Sequence, residues 1–497
     1  MSLSRTAVAL GVGLFCLSSH PPALAAGPDE LEQVKSQLAE LRQSYEARLQ
    51  ALEKRIAELQ QAAAPAPTTA ATAVAASPPP VIGAAGSPGA ANADPSAAAT
   101  VASPVAAAAP TSPSATAFNP AISLILAGRY ANLSRDPDTY KLQGFVPTGG
   151  EVGPEARGFS LGESELGISA SIDPTFSGRL TAAFAPDNSV GVEEAWFQGA
   201  GLFEGGNLRA GRFLSGIGYL NERHAHTWDF IDAPLVHQAF FGGQIKTDGL
   251  QVRWVAPTDR FVEIGAEVGS GTSFPGSGSG RNGVGSATLF AHLGDDIGAN
   301  ASWRVGASLL ANKADDRAYD DLNGAGIPVT NSFTGRTRTW GLDGIYKWAP
   351  GGNASRRNLT VQGEFFQRRE SGTLAYDTLG AAGATSTGDY SVVQNGWYLQ
   401  AVYQFMPRWR VGARYDRLDS GTPHISQIES GALTAADFPI LQGARPSRAS
   451  LMFDFSPSEF SRFRLQLGAD RSNPAVTDRQ IFLQYIMSLG AHGAHSY

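Results

Sequence analysis

A chain of 497 residues with 57 glycines, 30 prolines and one cysteine has no means of building a disulfide framework or a cysteine-ligated zinc site. Its formal charge of −7 at pH 7 argues against nucleic acid as a partner. Beyond the N-terminal leader no stretch supplies the roughly 18 consecutive apolar residues of a membrane-spanning helix, which leaves a periplasmic protein, a secreted protein or an outer-membrane barrel.

Residues 1–25 carry Arg5, an apolar run from Ala7 to Leu17 and the small-residue stretch Ala23-Leu24-Ala25. That is the layout of a secretory signal peptide, and Cys16 leaves with it. Residues 26–61 contain LEQVKSQLAELRQSYEARLQALEKRIAEL, whose apolar positions from Leu31 to Leu59 step by three and four, with one extra four between Tyr45 and Leu49. The pattern predicts a periplasmic α-helical coiled coil with a stutter, and such a stripe needs a partner helix to cover it. Residues 62–117 are mostly Ala, Pro, Thr, Ser and Gly, with too little apolar bulk to offset ordering, and are expected to be a disordered linker.

From 118 to 497 period-two alternation takes over. In SRFRLQLGAD (461–470), Phe463, Leu465 and Leu467 oppose Arg462, Arg464 and Gln466; in NGWYLQAVYQF (395–405), Trp397, Leu399, Ala401 and Tyr403 oppose Gln400 and Gln404. Sixteen segments read as strands: 122–134, 158–172, 176–186, 190–201, 207–215, 244–257, 261–271, 283–298, 301–314, 336–349, 356–371, 395–407, 409–420, 445–457, 460–472 and 479–491. Connections after even-numbered segments are short. Those after odd-numbered ones tend to be long, at 135–157, 216–243, 272–282, 315–335, 372–394 and 421–444, with short exceptions at 187–189 and 473–478. A soluble sandwich has no reason to sort its loops by parity, whereas an outer-membrane barrel does. Aromatic residues such as Trp303, Trp340, Tyr346, Trp348, Trp397, Tyr403, Trp409 and Tyr415 suit interfacial girdles. The expected fold is all-β and transmembrane: an antiparallel outer-membrane β-barrel of about 16 strands preceded by the coiled coil, in the outer membrane of a Gram-negative bacterium with its N-terminal region in the periplasm.

The stretches GFSLGESELGISASIDP (158–174), VEEAWFQ (192–198) and AGRFLSGIGYLNERHAHTWDFIDAPL (210–235), with the leader, coiled coil and barrel around them, resemble outer-membrane porins of the phosphate-selective porin O/P-like type. Within that type they resemble a subgroup labelled only as porins or, loosely, as zinc-regulated or TonB-dependent receptors. An energised receptor needs a folded plug before a 22-stranded barrel, and a coiled coil plus linker leaves no room for one. The resemblance implies a passive pore, a homotrimer in outer-membrane lipid, and a segment 216–243 that folds inward to narrow the channel.

That segment holds HAHTWDFID (224–232). Three readings compete for Glu222, Arg223, His224, His226, Asp229 and Asp232. The histidines and aspartates hold the constriction to loop backbone and barrel wall; or Glu222, Arg223 and the aspartates set a transverse field that selects charge; or His224, His226 and Asp229 or Asp232 hold a zinc-like ion, with spacing that matches no standard closed site. His492 and His495 in the terminal GAHGAHSY read as a polar tail and a second, weaker metal hint.

Residues expected to line the pore are Glu163, Glu165, Arg253, Arg304, Glu364, Arg368, Arg414, Asp416, Arg448, Asp454, Arg462, Arg464 and Asp470. Both signs are present, so arginine–carboxylate pairing across neighbouring strands is expected rather than the unbroken positive ladder a strict anion channel wants. No nucleophile elbow or glycine-rich phosphate loop stands out, and His292 and His424 have no nucleophile in a recognisable motif, so no enzymatic activity is expected. The expected function is passive diffusion of small hydrophilic solutes or ions, with no resident cofactor. The alternatives are outer-membrane zinc binding or uptake through the histidine loop, and a tether in which the N-terminal region engages the cell wall.

Overall fold

The computed structural model describes residues 120–146, 152–278, 282–383 and 385–490. The expected signal peptide, coiled coil and linker lie outside the described residues, as do His492, His495 and Tyr497. None of the described helices is long and apolar enough to cross a membrane.

Strands dominate. They are β1 (Ala121–Leu133), β2 (Gly158–Leu161), β3 (Ser164–Ser171), β4 (Phe176–Phe184), β5 (Val190–Phe203), β6 (Gly206–Leu214), β7 (Lys246–Val255), β8 (Phe261–Gly269) and β9 (Ser286–Ile297). The second half supplies β10 (Ala301–Leu322), β11 (Pro328–Trp348), β12 (Asn358–Tyr376), β13 (Ser386–Met406), β14 (Trp409–Asp419), β15 (His424–Ile425), β16 (Ser447–Ser458), β17 (Ser461–Arg471) and β18 (Asp478–Gly490). Each pairs antiparallel with its neighbour, and β18 returns to β1 with Leu483 opposite Tyr130. Because β2 and β3 both pair with β1 as one broken stave, and β15 is a two-residue bridge on β13, the 18 segments make a closed barrel of sixteen staves. Closure leaves no open edge. Each expected segment overlaps one stave.

The pleat sorts the side chains. On β17, Arg462, Arg464, Gln466 and Asp470 are buried inside while Phe463, Leu465 and Leu467 are exposed outside. On β10, Val305 and Leu309 face out and Ser308 and Asn312 face in. Outward aromatics gather in contacts between neighbouring strands, such as Trp397 on Tyr415, Trp340 on Phe365 and Trp409 on Phe455.

Two expected loops are not loops. Residues 315–335 and 372–394 continue β10–β13, leaving tips of only 323–327 and 377–385. Past Leu309 and Trp340 the outward positions turn from apolar to Lys313, Arg336 and Arg338, while inward ones stay buried. About ten residues suffice to cross a bilayer, so these strands of 19 to 22 residues run on as a freestanding extension. The extension is held by its own apolar cluster: Tyr319, Val329, Phe333, Leu374, Tyr376 and Tyr390 pack with Ile425, Phe438, Ile440 and Leu441 from the connection 420–446.

A second cluster lies within the barrel. Leu310, Phe366, Tyr398 and Leu418 of β10, β12, β13 and β14 pack against Leu235, Val236, Ala239, Phe240 and Phe241. The last five belong to α1 (Leu235–Phe241), a helix inside the segment between β6 and β7.

Candidate functional site

The segment 215–245 leaves β6 and is anchored to the inward side chains of staves around the barrel. It begins with Ser215 Oγ donating to Glu267 Oε2 at 2.6 Å and the Gly216 amide donating to Glu267 Oε1 at 2.7 Å. Gly218 follows in the left-handed region, with φ 70°, where a Cβ would collide with Glu364 and Phe366. That bend presents the Tyr219 and Leu220 amides to Glu364 Oε1, while Glu364 Oε2 lies 2.6 Å from His237 Nε2. One carboxylate of β12 therefore grips the segment at two places.

Next comes the histidine stretch. Ala225–Thr227 forms a single 3₁₀ turn that turns both imidazoles toward β3 and β5, stacked 5.7 Å apart. His224 Nδ1 lies 3.1 Å from Glu193 Oε2 and 3.3 Å from Glu165 Oε2; its Nε2 lies 2.9 Å from Glu194 Oε2. His226 Nδ1 lies 2.6 Å from Glu165 Oε1. All five side chains are buried. Burial alone lowers the His224 pKa, but the carboxylates of Glu165, Glu193 and Glu194 more than reverse it and hold the imidazole well above its ordinary value.

Consecutive strand residues normally face opposite ways, so Glu193 and Glu194 both facing inward needs a cause. The cause is a β-bulge: Thr181 pairs with Glu194 and Ala182 with Val192, leaving Glu193 as the extra residue. Reading the strand by strict alternation misses this pair. The signal available was the Glu-Glu doublet in VEEAWFQ, which an apolar-outside stave tolerates only with a bulge.

Asp229, grouped with the histidines in the metal reading, is not with them. It lies 2.9 Å from Arg410 Nη1 on β14. Asp232 receives Arg414 Nη2 at 2.8 Å, Arg448 Nη1 at 2.6 Å and Gln466 Nε2 at 2.9 Å. Burial raises its pKa, but Arg448 and Arg414 outweigh burial and take it below the usual carboxylate range. The 3₁₀ turn separates the two groups: histidines face β3 and β5, aspartates face β14, β16 and β17.

The helix closes the segment. Its N-terminal Leu235 amide donates to Asp416 Oδ1 at 2.9 Å, and Arg368 Nη1 donates to the Ala239 carbonyl near its C-terminus at 3.0 Å. Wall side chains of opposite sign thus satisfy the orphan groups at the two ends. Gly242, left-handed at φ 65°, ends it. Neither Asp229 nor Asp232 caps it, Pro234 standing at the N-cap position.

The other expected pore residues are placed as follows. Arg253 bonds Glu222 and approaches Glu263 at 3.5 Å. Arg304 lies 3.7 Å from Asp343 and over the Tyr219 ring, which Arg223 also covers at 4.4 Å. Arg464 binds Asp454 at 2.8 Å, Arg410 shares that carboxylate, Arg448 lies 3.7 Å from Asp470, and Arg462 donates to the His226 carbonyl at 2.6 Å. Glu163 sits half-buried at the break between β2 and β3. On the short-turn side of the segment lies a vestibule of about 580 Å³, bordered by Tyr219, Arg223, Asp229, Lys347, Arg410 and Arg462.

No protein-family model matches the sequence. Among solved structures, the chain is similar to OmpTdeltaL8, a loop L8 deletion mutant of an outer membrane protein of Vibrio cholerae (TM-score 0.47, 11% identity, covering 75% of this chain and 100% of that one). It is also similar to the outer membrane channel DcaP of Acinetobacter baumannii (TM-score 0.44, 12% identity, 76% and 99%) and to an anion-selective porin from Comamonas acidovorans (TM-score 0.44, 10% identity, 75% and 99%). In sequence it is 31% identical over 406 residues to an uncharacterized protein of Aquifex aeolicus (strain VF5), a match covering 77% of this chain and 80% of that protein. The chain belongs to the same family as that Aquifex protein.

Proposed function

We propose that the protein is an outer-membrane porin that passes small hydrophilic solutes or ions, with the segment 215–245 as its constriction. The observation that carries this reading is the sorting of side chains: apolar residues outside a closed sixteen-stave wall, ionisable ones inside, and one segment bonded to the inner face above a vestibule of about 580 Å³. Glu222, Arg223, Asp229 and Asp232 supply charge along the path, together with Arg253, Arg304, Arg410, Arg414, Asp416, Arg448, Asp454, Arg462 and Arg464. Most of these arginines have a carboxylate within ion-pair distance. A paired lumen of this kind favours weak ion preference over strict phosphate selectivity.

The short turns face the periplasm in this reading and the extended hairpins of β10–β13 face outward. Three copies associate through the wall and through the seam Leu31–Leu59, and the N-terminal region lies near the cell wall. Purified protein in a planar bilayer, under a salt gradient, is expected to give stepwise conductance with a reversal potential near zero. A barrel that never conducts, or one with near-ideal anion selectivity, overturns the reading.

A further inference from the structure

We propose that His224 Nδ1, Glu165 Oε2 and Glu193 Oε2 form a binding site for a divalent cation of the zinc class, which fastens the segment 215–245 to β3 and β5. The inference goes beyond the porin reading and does not depend on conduction.

The three ligand atoms lie within 4.8 Å of one another on buried side chains. His224 Nδ1 is 3.1 and 3.3 Å from the two oxygens. Zinc–nitrogen and zinc–oxygen bonds of about 2.0–2.1 Å at tetrahedral angles place neighbouring ligand atoms roughly 3.3 Å apart, so the two nitrogen–oxygen spacings need adjust by only a few tenths of an ångström. An imidazole with two carboxylates suits zinc and its transition-metal neighbours, whereas calcium takes six to eight oxygens and magnesium keeps most of its water. Three protein ligands leave the fourth position to water.

The groups behind the ligands are arranged as such a site requires. A metal-bound histidine gives its other ring N–H to a carboxylate, and His224 Nε2 faces Glu194 Oε2 at 2.9 Å. The second oxygen of Glu165 is taken by His226 Nδ1 at 2.6 Å, and that of Glu193 by Lys246 Nζ at 3.2 Å. Glu194 is steadied in turn by Arg179 Nε at 3.4 Å. Each ligand therefore has one atom on the shared centre and the other on a fixed partner. The bulge at Glu193 brings two adjacent carboxylates to one imidazole.

The test uses the detergent-solubilised full chain carrying H492A and H495A, which removes the terminal histidines as a competing site. The protein is stripped with EDTA, reloaded with zinc chloride, and its metal content and affinity are measured. One zinc per chain is expected. H224A should weaken binding by at least about 100-fold, and E194Q, which keeps all three ligand atoms, by about 10–100-fold. X-ray absorption of the loaded protein should show one nitrogen among oxygen neighbours near 2.0 Å. Should H224A lose its β-sheet circular dichroism, E194Q and the absorption spectrum decide. Less than stoichiometric zinc in the folded background protein overturns the proposal, as does full-affinity zinc binding in folded E194Q and E193Q or a spectrum lacking nitrogen.

Discussion

The two halves of the segment 215–245 are held to the same wall by different physics. The helical half, Leu235–Phe241, is buried along its whole length and packed on Leu310, Phe366, Tyr398 and Leu418, with charged partners at its two ends and at His237, which meets Glu364. The half from Glu222 to Asp232 makes scattered apolar contacts through Ala225, Trp228, Phe230 and Ile231, divided among three separate clusters. It relies on Glu165, Glu193 and Glu194 at one side and Arg410, Arg414 and Arg448 at the other. Apolar packing is insensitive to salt and pH and gives position without charge. Buried ion pairs give position and a local field together, but each must be matched, because one partner left alone is costly. Labour is divided accordingly: α1 fixes where the segment sits, and in the proposed porin the charged half sets what the path presents to a solute.

Substitutions can separate the two roles. F240A empties a fully buried aromatic site in α1 and should cost about 3–5 kcal/mol, read as a lower unfolding temperature and faster proteolysis within 215–245, with reversal potential unchanged. D232N should cost less, about 1.5–3 kcal/mol for lost charge-assisted hydrogen bonds. It leaves Arg414 and Arg448 in excess, so the same salt-gradient recording should move toward anion preference. G218A sits at the hinge before both halves; left-handed strain and the collision with Glu364 should cost about 1–3 kcal/mol and loosen both. R223A removes a stacking contact on Tyr219 at the vestibule and should cost about 0.5–1 kcal/mol, visible as a small conductance change and only a slight fall in unfolding temperature.

Acid sharpens the contrast further. Asp232 faces Arg414, Arg448 and Gln466, with Arg129, Asp416, Asp470 and Tyr140 in its surroundings. Its carboxyl is held below the ordinary range, so the stabilisation it gives is present above the unfolded value of about 3.9 and fades only as pH falls through the lower folded value. The difference in ion preference between the native protein and D232N should therefore persist when both are recorded at pH 4.5.

Much of this was legible in the sequence. Alternation such as Arg462–Phe463–Arg464–Leu465 names the faces of a stave with no knowledge of its neighbours, and loop parity places HAHTWDFID in the third connection on the long-loop side. Less legible was anything set by tertiary contact. Residues 315–335 read as loop because their outward side chains become polar, although the inward ones still alternate and continue the strand. The run LVHQAFF is too short for helical periodicity to show, and its helix exists because Asp416 and Arg368 receive its ends. His224 could be singled out, but not Glu193, whose inward turn depends on a bulge, nor the removal of Asp229 to Arg410, which depends on one 3₁₀ turn.

Whether the segment narrows the barrel is decided by replacing residues 222–243 with a short Gly-Ser connection and comparing single-channel conductance with that of the native chain in the same bilayer and salt. A segment that narrows an open barrel predicts a several-fold larger conductance in the shortened protein and a weakened ion preference. Equal conductance in two folded proteins would place the narrowing elsewhere and contradict the account.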